Sequence, residues 1–321
     1  DSINEKLLLK NEDEYIIKTG SYNLKDDLII PYGKNLIIEP GVQLNIADNK
    51  SILVYGGLSI NGNKDEQVYV KNLNKKFGTF ASLGNKNTKI DINYLNLSGG
   101  SEAVINGVYF SGALSLHSHK SVNISNSRIS NNFADDGVNI KNSKVYLKDN
   151  DFVFNFSDQI DLDNCTGSVV NNSFVYRVNK NIQNDNGDGL DLSYSKILVK
   201  ENIFSGFVDK AVSVGERTNI LIFKNNFSDN VRAITVKDES NAYLSKNYYE
   251  NNEINIEQYR KKNFFEYPNV FNIDEKHQKE KIKKTSNSNY FFLNKDIKLD
   301  FNQNFEIILS NLETETWNKI E

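Results

Sequence analysis

Asp135-Asp136-Gly137-Val138-Asn139-Ile140 opens a phrase that the chain writes again as Ser157-Asp158-Gln159-Ile160-Asp161-Leu162-Asp163, Gly187-Asp188-Gly189-Leu190-Asp191-Leu192-Ser193 and Asp209-Lys210-Ala211-Val212-Ser213-Val214-Gly215-Glu216. Each copy is an acidic or small turn followed by an apolar–polar–apolar triplet. With Val138, Ile160, Leu190 and Val212 as equivalents, the steps are 22, 30 and 22 residues. Alternate side chains of a strand face opposite ways. The apolar pairs then point inward, and Asn139, Asp161, Asp191 and Ser213 point outward in one file. If each copy is one rung of a coil, the acids stack into a column with a spacing of about 4.8 Å.

The same step recurs on either side. Phe152, Phe174, Phe204, Phe227 and Tyr249 follow one another at 22, 30, 23 and 22 residues, each two residues after an Asn: Asn150, Asn172, Asn202, Asn225 and Asn247. An inward aromatic column packs ring on ring, and an Asn column suits a tight turn whose amides bond from coil to coil. Val122, Val145, Ile197 and Ile220 carry the period through the preceding strand. Nearer the N-terminus, Leu24 to Ile46, Ile30 to Ile52, Leu36 to Leu58 and Ile38 to Ile60 are again steps of 22. Short strands bounded by turn residues, repeating at 20–30 residues, specify a β-solenoid. The step of 30 requires an insertion between Arg177 and Gly187, expected as a loop on one face.

The sequence thus predicts an all-β chain, a right-handed parallel β-helix of about eight to ten coils. Residues 1–14 are expected as an N-terminal cap, 15–254 as the β-helix, and 255–321 as a non-repetitive C-terminal capping segment. In that segment Phe264, Phe265, Phe271, Phe291 and Phe292 are expected to cover the open end, and Lys279 to Lys284 to form a solvated loop.

With 38% hydrophobic and 25% charged residues, the chain of 321 residues is globular. A net charge of −4 provides no basic field for nucleic acid, and no apolar run approaches a membrane span. The chain begins at Asp1 and has no Met, which suggests a mature or excised segment. A single cysteine, Cys165, excludes an internal disulfide framework and reads as a small packed residue.

Leu36-Ile37-Ile38-Glu39-Pro40-Gly41-Val42 followed by Ile52-Leu53-Val54-Tyr55-Gly56-Gly57-Leu58-Ser59-Ile60-Asn61-Gly62 resembles the opening coils of bacterial right-handed parallel β-helix proteins of the pectate-lyase-like superfamily. The later Asp-Gly-Leu-Asp and Asp-Lys-Ala-Val-Ser-Val-Gly-Glu passages are similar to modules of bacterial surface and exopolysaccharide-related proteins. The resemblance spans Tyr15 to Tyr249 and implies a carbohydrate-related module outside the cytoplasm. The Asn-Thr-Asp, Asp-Asp, Gly-His-Gly and Arg-x-Lys set of polygalacturonases is not present intact, nor is the Asp-Pro-His-Asp of uronate epimerases, so no catalytic set carries over.

The residues themselves leave three readings. In the first, Asp161, Asp163, Asp188 and Asp191 hold Ca²⁺, a cation that takes several hard oxygen ligands. The ion would bind the carboxylate of an acidic polysaccharide while Lys210, Arg177 or Arg217 removes the adjacent proton in a β-elimination. In the second, Asp161 and Asp191 work as an acid–base pair on a glycosidic bond, which needs a separation of about 5–9 Å. In the third, Asp and Asn satisfy turn backbone and keep the solenoid soluble, as in a structural or adhesion module of a larger surface protein. Asp136, Asn139, Asp158, His117 and Arg217 stand as candidate substrate contacts. His117 aligns with Lys141, Asp163 and Ser193, as a proton shuttle or a solvated residue.

Overall fold

Successive coils each place one strand in three parallel sheets. The computed structural model describes residues 8–9, 12–176, 186–273, 281–292 and 305–320. Asp158–Asp163, Thr166–Val170 and Ser173–Val175 form one coil; Leu190–Ser193, Lys196–Lys200 and Ile203–Ser205 form the next. Stacking gives sheets of 11, 13 and 10 strands, called here the site sheet, the long sheet and the aromatic sheet. The solenoid has about 11 turns, somewhat more than the sequence predicts. Among the described strands, pairing is parallel except where Leu8–Leu9 meets Tyr15 and Ile16, and in the hairpin Ala103–Ile105/Val108–Phe110. No helix among the described residues is long and apolar enough to cross a membrane.

The register follows the repeat through the middle of the chain; near the N-terminus Ile30 pairs with Val54 rather than Ile52, a step of 24. Ile160 pairs with Leu190 and Leu190 with Val212, while Phe174 pairs with Phe204 and Phe204 with Phe227. The aromatic column is stacked from Phe152 to Tyr249, with centroids 5.2, 4.5, 5.1 and 5.4 Å apart. Burying each of its Phe rings contributes roughly 1.5–3 kcal/mol. The corners explain the Asn and Asp content. Asn142, Asn164, Asn126, Asp149, Asn171 and Asn131 all have φ near +50 to +60°, a conformation their short polar side chains tolerate better than most.

The Asn column is a closed ladder. Asn172 donates its backbone N–H (2.8 Å) and its amide N–H (2.9 Å) to Asn202 Oδ1, and Asn202 does the same to Asn225 (2.9 and 2.9 Å). A second ladder, joining Asn230 to Asn252 and Asn132 to Asn155, runs at another corner. Hydroxyls do the same work at the third: Ser195 N–H donates to Thr218 Oγ1 (3.2 Å) and Thr218 N–H to Ser240 Oγ (3.1 Å). Cys165 occupies a position in this third column, its backbone bonded to Ser195 Oγ and its buried thiol pushed up to about 12 by desolvation.

The solenoid continues beyond residue 254. Ile254–Tyr259 and Ile282–Lys284 extend the site sheet, and Asn269–Asn272 and Asn289–Phe292 extend the long sheet. The charged run is therefore partly a strand, with Lys283 paired to Glu257 across the rung at 2.9 Å, while Lys279 and Glu280 lie outside the described residues. Phe271 and Phe291 do not cap an open end. They stack with Tyr243 on the outer flank of the long sheet, where Ile308, Leu309 and Leu312 of the helix Phe305–Ile320 join the cluster. Phe264 is solvent-exposed and Phe265 lies against Tyr194. Arg177 and the expected insertion up to residue 185 lie outside the described residues.

Candidate functional site

On the outer face of the site sheet the register arranges polar residues in three columns. The first holds Asp136, Asp158, Asp188, Lys210 and Arg232. The second holds Ser115, Asn139, Asp161, Asp191, Ser213, Thr235 and Glu257. In the third are His117, Lys141, Asp163, Ser193 and Gly215. The expected outward file of Asn139, Asp161, Asp191 and Ser213 is thus formed, although Asn139 and Ser213 are buried.

The face is bounded at both ends. Toward the N-terminus the hairpin lies over it: Phe110 clusters with Leu53 and Ala81 and stacks on His117 at 5.4 Å. Toward the C-terminus Arg232 pairs with Glu257 (2.7 Å) and Asp209 (3.3 Å). Between these ends lie the carboxylates. One oxygen from each of Asp158, Asp188 and Asp191 lies within 4.8 Å of the others.

Few cations reach them. Lys141 pairs with Asp163 at 2.9 Å, and Lys210 donates to both oxygens of Asp188 (3.2 and 3.3 Å) and to Asp209. Burial, reinforced by neighbouring acids, raises Asp158 and Asp161 well above the usual carboxylate range. Burial raises Asp136 and Asp188 to about 7, against the opposing effects of Ser111 on Asp136 and Lys210 on Asp188. Asp136 and Asp188 therefore exchange protons near neutral pH, which is what an acid–base catalyst requires.

Several expected roles change in this setting. Lys210 is not a free base: although burial works against its charge, Asp188 and Asp209 hold its proton and raise its pKa. Asp163 is engaged by Lys141 rather than open to a metal. Arg217 is not brought to the acids; it sits at a corner, bonded to Glu239 at 3.0 Å and lying over Phe265. His117 is buried rather than solvated, and desolvation lowers its pKa.

Its hydrogen bonds give His117 a positioning role. Asn139 Nδ2 donates to Asp161 Oδ2 at 2.8 Å, and Asn139 Oδ1 lies 2.8 Å from His117 Nε2. The amide orientation that feeds a carboxylate requires the imidazole to carry its proton on Nε2. An amide does not pass protons as an imidazole does, so His117 orients Asn139, which orients Asp161.

Sequence reading missed Lys141, Asp209 and Lys237 as partners in the site, and Tyr109 on the hairpin. Tyr109 is 57% exposed. Its phenol pKa is raised by burial and by the charges of Glu102, Asp135 and Asp136. The pairing of Lys141 with Asp163 was available from the register; the hairpin's fold-back was not.

No family model and no curated protein sequence matches the chain. Among solved structures, the chain is similar to the full-length tailspike protein 2 of Escherichia coli O157:H7 bacteriophage CAB120, at 10% identity and a TM-score of 0.47, covering 85% of this chain and 42% of the tailspike. It is also similar to the A-module of the Azotobacter vinelandii mannuronan C-5 epimerase AlgE4, at 11% identity and a TM-score of 0.48, covering 88% and 82% of the two chains. A third similarity is to the Streptococcus pneumoniae surface protein and adhesin PfbA, at 10% identity and a TM-score of 0.30, covering 88% and 90%. The chain is a parallel β-helix module. The chemistry of its acidic face has to be read from its own residues.

Proposed function

We propose that this module acts on a polysaccharide laid across the outer face of the site sheet, cleaving a glycosidic bond by carboxylate acid–base chemistry. The observation that carries the reading is the acidic column itself: Asp136, Asp158, Asp161 and Asp188 are all driven toward protonation by burial. Asp161, held by Asn139, is assigned as the proton donor to the leaving oxygen. Asp191, its register neighbour on the next coil, is assigned as the second carboxyl group of the pair. Adjacent rungs about 4.8 Å apart suit the shorter of the two carboxyl spacings, in which the second group is the nucleophile. Asp136 and Asp158 line the same face, and the Tyr109 ring offers an exposed surface for a sugar to stack on. An extracytoplasmic location belongs to this proposal, since polysaccharides of this kind are met there.

A second reading rests on the close approach of Asp158, Asp188 and Asp191. These hard oxygens fit Ca²⁺, with Asp161 beside them. The ion would supply a positive charge that draws the carboxylate of an acidic polysaccharide to the face.

Incubation with neutral and uronate polysaccharides, in calcium or in EDTA, separates the readings. Hydrolysis yields reducing ends without unsaturated products and persists in EDTA. Unsaturated products that vanish on chelation establish calcium-assisted elimination instead. Failure to cleave any polymer, with Asp161→Asn and Asp191→Asn behaving as the parent, leaves an adhesion or structural module.

A further inference from the structure

Beyond the acids, the outer face changes sign. Lys237 ends the strand Arg232–Lys237 and lies one coil beyond Gly215 in the third column. The residue is 5% exposed, yet among the described residues its ammonium has a single hydrogen-bond partner, Ser213 Oγ at 2.8 Å, and no carboxylate pairs with it. A side chain at Gly215 would meet Lys237 Cε at 3.5 Å and Nζ at 3.8 Å, so the lysine lies along the bare glycine backbone, pointing back toward the acids. Every other lysine near the acidic cluster is committed: Lys141 to Asp163, Lys210 to Asp188 and Asp209, Lys262 to Glu216.

A buried ammonium left with unused N–H donors is costly unless something else completes its shell. A second, independent observation lies in the adjoining column. Thr235, on the same strand, is fully buried, and its Oγ1 has no hydrogen-bond partner. Thr235 is the register neighbour of Ser213, the residue that holds Lys237. A hydroxyl donor without an acceptor and an ammonium with spare donors together lack one thing, an anionic oxygen acceptor. Asp191, one rung back from Ser213, and Tyr259, one rung on from Lys237, flank the position.

We infer that Lys237, with Ser213 and Thr235, forms a subsite for the carboxylate of a uronic acid residue, two rungs along the face from Asp191. The inference rests on the reading that a glycan lies across this face, and it specifies the glycan as acidic. It also explains how an acidic polymer approaches an acidic centre. The charge of one sugar unit is taken by Lys237, while a neighbouring unit is presented to the carboxylates.

The test is isothermal titration in EDTA, so that no bridging cation contributes, with hexuronate trisaccharides and their carboxyl-reduced counterparts. The parent protein should prefer a uronate trimer. Lys237→Met, which keeps the stem and removes the charge, should weaken that trimer at least about tenfold and leave the reduced trimer unchanged. Lys237→Arg should retain most of the affinity, and Thr235→Val should lose a few-fold. Removing an unpaired buried charge should leave the ligand-free melting temperature of Lys237→Met unchanged or raised, which separates lost binding from lost folding. Equal binding of the uronate trimer by the parent and by folded Lys237→Met overturns the subsite, as does a parent that does not distinguish the two trimers. Cleavage of a uronate polymer that needs Asp161 but is unaffected by Lys237→Met would overturn the subsite and keep the hydrolytic reading. Lys237-dependent uronate binding without cleavage would do the reverse.

Discussion

The Asn column of the aromatic corner and the Asp column of the site sheet are products of one repeat, and their energetics are opposite. In the Asn column each amide is both donor and acceptor: Asn202 accepts two hydrogen bonds from Asn172 and gives one to Asn225 and one to Val169 O. Such a column closes on itself without charge. A carboxylate only accepts, so stacked Asp residues satisfy one another only by taking up protons, a metal or a cationic ligand. One Lys on Asp188 and one on Asp163 do not balance Asp136, Asp158, Asp161 and Asp191. Identical spacing thus builds a stabilising ladder from one residue type and a chemically unfinished surface from another.

The sharpest way to break this comparison is at the acids. Asp161→Asn and Asp191→Asn should each lower glycan cleavage by about 10²–10⁴-fold, with no fall in the melting temperature; reducing-end assays beside thermal melts decide it. If both variants lose stability instead, the Asp column is structural after all. Next comes the ladder. Asn202→Ala strands buried donors and acceptors on both neighbouring coils and should destabilise by roughly 3 kcal/mol in urea titration, while any cleavage activity of the folded fraction persists.

The third test concerns proton linkage. Burial raises Asp136 from the ordinary value of 3.8 to about 7. The folded protein therefore binds the proton more tightly than the unfolded chain. The associated stability is complete below 3.8 and is lost as pH rises through about 7. Asp136→Asn stays neutral throughout, so its melting temperature should gain on the parent by a few °C between about pH 5 and pH 8. A constant offset across that range would show that Asp136 is already charged in the folded state. The smallest effect is expected at the hairpin, where Tyr109→Ala should cost about 1 kcal/mol of oligosaccharide affinity and leave the melting temperature in place.

Much of this molecule is readable as a period. The 22-residue step places Phe152 under Phe174 and Asn139 beside Asp161, and the one step of 30 places Phe174 under Phe204 and Asp161 beside Asp191, because a parallel stack converts sequence spacing directly into register. The same logic stops at the last regular coil. Ile254–Tyr259 still keeps the step of 22, but Asn269–Asn272, Ile282–Lys284 and Asn289–Phe292 follow their partners at 28, 26 and 20 residues, which hides the repeat. Within the site, the file of acids was legible, whereas the commitments of Lys210 and Lys237 were not. Both sit at recognisable rungs, yet Lys210 turns to Asp188 while Lys237 lies over Gly215 toward Ser213.

By itself, then, the sequence determined the solenoid, its columns and the face on which the acids gather, since these depend only on strand alternation and a repeat length. The tertiary structure alone decided which acids are buried, which lysines are already bound, and that the Ala103–Phe110 hairpin and the Phe305–Ile320 helix fold back on two different outer faces. Those outcomes depend on contacts between columns and on segments outside the repeat, and a period carries no information about either.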